Sequence, residues 1–119
     1  TLKWLHVKRI KMQHQAILTQ LGYSVSENAV AQVKRVIENT AGFEHIEKHL
    51  ITLHDALKAH HSFVALSSNK DYFKIKNEAQ GEEMIEEVNA MIAKWSEKYK
   101  ITLEKVPNKN TYYVLGYKS

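Results

Sequence analysis

The strongest periodic signal lies late in the chain. Met84, Ile85, Val88, Met91, Ile92, Trp95 and Tyr99 recur at three- and four-residue steps, the spacing that lines one face of a helix. Glu82, Glu83, Glu86 and Glu87 crowd its start, and Lys94, Lys98 and Lys100 its end. That polarity complements the helix dipole and predicts a helix over 81–99. A second seam of Phe43, Ile46, Leu50, Leu53 and Leu57 predicts a helix over about 43–60, broken from what precedes it by Ala41-Gly42. A third helix, about 26–38, buries Ala29, Val30, Val33, Val36 and Ile37, with Ser24 or Ser26 as its N-cap. The first begins within residues 2–10 and runs to Leu21, where Gly22 supplies a stop. Trp4-Leu5-His6-Val7 fits a short strand equally well.

Elsewhere the period falls to two. Phe63–Ser67 and Tyr72–Lys76 flank the turn-forming run Ser68-Asn69-Lys70-Asp71, and Ile101–Val106 and Tyr112–Tyr117 flank Pro107-Asn108-Lys109-Asn110. Phe73 and Ile75 alternate with Tyr72, Lys74 and Lys76, while Ile101 and Leu103 alternate with Thr102 and Glu104. Such alternation implies an antiparallel sheet with one covered and one wet face, and the 81–99 helix is its obvious cover. The expected order is ααα-ββ-α-ββ, an α+β fold. At 119 residues the chain fits a single domain, 1–119.

Charge adds an asymmetry. Residues 1–26 hold Lys3, Lys8, Arg9 and Lys11 and no acid; the remaining residues balance 13 basic side chains with 13 acidic ones, so the first 26 carry the whole net charge of +4. A basic end on a neutral body fits docking onto something anionic. With no cysteine, the chain has no disulfide, thiolate nucleophile or Cys-based zinc site. No apolar run reaches the roughly 18 residues of a membrane span, and the early lysines interrupt any signal-peptide core. No membrane association is expected, and the expected location is the cytoplasm.

Three constellations bear on chemistry. Residues 12–39, broken at Gly22-Tyr23-Ser24-Val25, have the outline of a helix-turn-helix. On its second helix the face opposite the valines carries Asn28, Gln32, Arg35 and Asn39. Asn, Gln and Arg pair bidentately with base edges, and the upstream Lys8, Arg9 and Lys11 suit phosphates. The plainer reading is an antiparallel helix pair with a solvated outer face. Five of the seven histidines lie between 45 and 61. Among them His45 and His49 stand one helical turn apart, the spacing of two imidazoles sharing a metal. Two ligands do not close a zinc sphere, and a third would have to come from His6, His14 or Glu44; solvated or hydrogen-bonded histidines are the simpler account. Finally, Tyr72, Lys74 and Lys76, together with Tyr112, could set rings and ammonium groups on an open sheet face, suited to single-stranded bases or merely to a soluble strand edge.

No phosphate-cradling glycine loop or nucleophile elbow is present, and no cofactor is implied. The residues fit a small non-catalytic binding or regulatory protein. Its most concrete form is a nucleic-acid-binding module using Lys8, Arg9, Lys11, Asn28, Gln32 and Arg35. The alternative is a protein-interaction module that docks an acidic partner or forms a homodimer. That version uses the N-terminal helix, whose apolar residues Val7, Ile10, Ile17, Leu18 and Leu21 are joined off-stripe by Trp4, Leu5, Met12 and Ala16. A third is a His-based metal-binding protein or nuclease.

Overall fold

The computed structural model describes residues 14–118. Helix α1 is seen over 14–20; its expected beginning within residues 2–10 lies outside the described residues. It stops where the glycine predicts. Gly22 sits at φ 88°, with Gly22 N–H donating to the Thr19 carbonyl at 3.1 Å and Tyr23 N–H to that of Leu18 at 2.9 Å. This paired closure needs a left-handed residue at the helix end.

Helix α2, Glu27–Asn39, is capped by the Ser26 side chain, which accepts from Ala29 N–H at 3.1 Å. Ser26, and not Ser24, is therefore the cap. Val33 and Val36 are fully buried. The expected helix over 43–60 is α-helical only in its middle: α3 spans Glu47–Leu57, with 3-10 turns at Phe43–His45 and Lys58–His60. Its buried seam holds Leu50, Leu53 and Leu57, and also His54.

Strands β1 (Phe63–Leu66) and β2 (Phe73–Lys76) form the first hairpin. Helix α4, Glu82–Lys98, follows, and then β3 (Ile101–Lys105) and β4 (Thr111–Tyr117). The strand order is β1-β2-β4-β3, every neighbour antiparallel. Since β4 runs antiparallel to both β2 and β3, those two are parallel to each other. Helix α4 thus makes a crossover around an inserted strand, a split βαβ arrangement. The α+β fold and the order of its elements stand as the sequence predicts.

Register divides the sheet cleanly. Val64 pairs with Ile75 and Ile75 with Tyr112, Leu66 with Phe73, Phe73 with Val114, and Val114 with Leu103. These residues belong to the core, together with Leu50, Leu53 and Leu57 of α3 and Val88, Ile92 and Trp95 of α4. Polar clips fix the layers. Trp95 Nε1 donates to the His49 carbonyl at 3.1 Å, tying α4 to α3. The Asn77 amide donates to the Ile85 carbonyl and to Asn89 Oδ1, each at 2.9 Å. Tyr112 donates to the same Asn89 oxygen at 3.0 Å. Buried Asn77 thereby joins the end of β2 to α4 and β4 with its amide satisfied, which keeps a buried polar group from costing stability.

Candidate nucleic-acid interface

The polar face of α2 does not stand away from the body. Gln32 Nε2 donates to the Ser67 carbonyl at 3.0 Å, and Asn39 Nδ2 to that of Asp71 at 2.8 Å. Arg35 Nε lies 3.7 Å from Asp71 Oδ1. All three contact the connection between β1 and β2; of the expected reading set Gln32 is half-buried, while Asn28 and Arg35 are exposed. Arg35 is held loosely, at a long distance with more than half of its side chain exposed. Lys8, Arg9 and Lys11 lie outside the described residues, so the basic N-terminal part of the expected surface is not placed against α2.

His45 and His49 are each drawn to a different tyrosine. The His45 ring stacks on Tyr117 at 4.5 Å between centroids, and the His49 ring on Tyr99 at 3.6 Å with the planes 15° apart. Glu44 Oε1 is 3.8 Å from His45 Nε2. Among the described residues no three His, Asp or Glu side chains come close enough to hold a metal ion.

The residues that alternate with the core set form the opposite face of the sheet. Across β1, β2 and β4, Phe63 stands beside Lys76 and Thr111, and Ala65 beside Lys74 and Tyr113; Glu104 of β3 continues the second row. Tyr72, two residues before Lys74, joins them: its ring is 5.8 Å from that of Tyr113, tilted by 43°. Lys70 Nζ lies 5.2 Å from the centre of the Tyr113 ring, and Lys76 Nζ 5.9 Å from that of Phe63. Lys76 also meets Glu78 at 3.4 Å. Phe63, Tyr72 and Tyr113 stand apart from the core cluster, each partly exposed. The face is therefore aromatic and basic, with Ala65 buried on it.

One expected member moves. Tyr112 lies on the core face, its hydroxyl tied to Asn89 and its acidity weakened by burial. Its neighbour Tyr113 takes the open face. Lys70, Phe63 and Tyr113 are the residues that the sequence did not single out. The sequence of β4, Thr-Tyr-Tyr-Val-Leu-Gly-Tyr, has large residues at successive positions, so alternation alone cannot say which tyrosine points where. A turn lysine such as Lys70 has no periodicity to reveal it.

The outer edge of β1 is closed by side chains. Val64 N–H donates to His54 Nδ1 at 3.0 Å, and Leu66 N–H to the Tyr23 hydroxyl at 2.9 Å. Those outward N–H groups would otherwise invite another strand. His54 is buried, and burial, with a smaller push from Lys58 and against the pull of Asp55, lowers its pKa below the usual 6.5. Buried His14 is lowered in the same direction, first by burial and then by Lys34, against Glu38 and Glu47. No described helix is long and apolar enough to cross a membrane. Comparison with protein-family models, with curated proteins and with solved structures finds no match.

Proposed function

We propose that the protein is a non-catalytic nucleic-acid-binding module whose contact surface is the open face of the sheet. One observation carries this reading: Phe63, Tyr72 and Tyr113 share that face with Lys70, Lys74 and Lys76 and stand outside the core. Rings offer every base a stacking surface and ammonium groups neutralise phosphates. The basic residues Lys8, Arg9 and Lys11 add to the attraction over distance. The helix-turn-helix route, with Asn28, Gln32 and Arg35 reading base edges, has less in its favour. A ligand in that position must first displace the Gln32 and Arg35 contacts with the β1–β2 connection.

The test is a titration of labelled single-stranded and duplex oligonucleotides at low and moderate salt. Binding that weakens steeply as salt rises is expected, since released counterions drive it. Binding of neither form, or affinity indifferent to salt, contradicts the proposal. In that event an acidic protein partner or self-association becomes the better account.

A further inference from the structure

We infer that the ligand of this face is a single strand, with unpaired bases stacked on Tyr72 and Tyr113 and phosphates held by Lys70 and Lys74. The inference rests on the nucleic-acid reading above and narrows it.

The arrangement of the face decides between strand and duplex. A duplex hides its base faces in its own stack and presents phosphates and groove edges; proteins enter its grooves with a helix or a narrow two-stranded ribbon. Here the candidate groups include two rings, Tyr72 just before β2 and Tyr113 on β4, which a duplex gives no free base face to stack on. Unpaired bases can instead lie flat on rings, and base–aromatic stacking tolerates any sequence.

The two rings meet at the end of this face beside the β1–β2 turn. Lys74 is the register partner of Tyr113 and follows Tyr72 by two residues on the same side of β2. Lys74 therefore neighbours Tyr113 across the strands and Tyr72 along its own, within reach of the backbone that would link two stacked bases. Tyr72 and Tyr113 are tilted by 43° with centroids 5.8 Å apart. They are not stacked flat on each other, and both are partly exposed. Lys70 leans over Tyr113 at 5.2 Å. An exposed cation–π contact is weaker than a base–aromatic stack, so a base displaces the ammonium and leaves it beside the strand's phosphates. Lys76 contributes less, because Glu78 already meets it.

The experiment uses the whole chain and fluorescence anisotropy with strands of about ten nucleotides, within the usual site size of such surfaces. The probes are oligothymidylate, oligouridylate, an abasic strand of equal length and a duplex. Both base-bearing strands are expected to bind more tightly than the abasic strand and the duplex, and their ratio tells DNA from RNA. Tyr72→Ala and Tyr113→Ala are each expected to weaken binding about five- to hundredfold, while Tyr72→Phe and Tyr113→Phe keep it, since the ring is what stacks. Circular dichroism confirms that each variant is folded. An abasic strand that binds as tightly as oligothymidylate, a duplex that binds better, or folded alanine variants with unchanged affinity overturns the single-strand inference while nucleic-acid binding stands. Displacement of the strand by polyglutamate of equal charge at equal concentration also overturns it and marks a site for an acidic protein. Salt-independent binding, or none of any probe, removes both this inference and the reading beneath it.

Discussion

His54 shows how much a single side chain can decide in a small fold. Its Nδ1 accepts from Val64 N–H only while that nitrogen is unprotonated, and burial holds its pKa below 6.5. The sign follows directly: the unfolded chain takes up protons first, so stability is complete above the unfolded value and falls as pH drops through 6.5 toward the lowered folded value. Buried His14 acts in the same direction. Urea unfolding from pH 8 to pH 5 should show stability declining on the acid side. His54→Leu should shrink that decline and, by orphaning Val64 N–H, cost about 1–3 kcal/mol at neutral pH. Equal acid sensitivity in the variant would move the effect elsewhere. Gly116 makes a second prediction. A Cβ there would lie 2.8 Å from both Ala41 Cβ and Ala41 N, at a φ of 155°, where Ala41 bridges in parallel to β4 and Tyr117 N–H donates to its carbonyl. Gly116→Ala should therefore cost about 1–3 kcal/mol and lower Tm by several degrees; an unchanged Tm would mean that the 41–42 segment gives way freely.

At the scale of elements, the sequence is legible where a face repeats. The stripe from Met84 to Tyr99 marks α4 to within a residue at each end, and the alternation of Phe73 and Ile75 with their lysines marks β2 and its wet side. Where large residues fall on successive positions, as at Tyr112 and Tyr113, the face depends on register, which forms only when strands pair. The polar face of α2 misleads for a related reason. A row of Asn, Gln and Arg looks the same in sequence whether it meets water, a base edge or a neighbouring loop. Here Gln32 and Asn39 meet backbone carbonyls of the β1–β2 connection. Their worth differs from that of the nearby ion pair. Asn39→Ala removes a 2.8 Å bond and should cost about 0.5–1.5 kcal/mol. Arg35→Ala breaks a 3.7 Å pair between two largely exposed side chains and should cost less than about 0.5 kcal/mol. Urea unfolding distinguishes the two, and the reverse ranking would mean that Asp71 anchors α2 by charge.

Across the molecule, the split crossover places α4 and α3 over the core-side residues of the sheet, leaving the other face to Phe63, Tyr72 and Tyr113 with their lysines. The two faces have different work: one excludes water to hold the fold, and the other is proposed to meet a nucleic acid. Lys74→Ala should then weaken binding of every strand alike and reduce the slope of log affinity against log salt by about one. An unaltered slope would remove Lys74 from the phosphate path. The central claim, that the open face and not α2 receives the ligand, is tested most directly by mapping backbone NMR shifts while oligothymidylate is added. Perturbations should gather on Phe63, Lys70, Tyr72, Lys74 and Tyr113 and leave Asn28, which lies away from the β1–β2 connection, still; perturbations centred on Asn28 and the start of α2, or none at saturating strand, would contradict it.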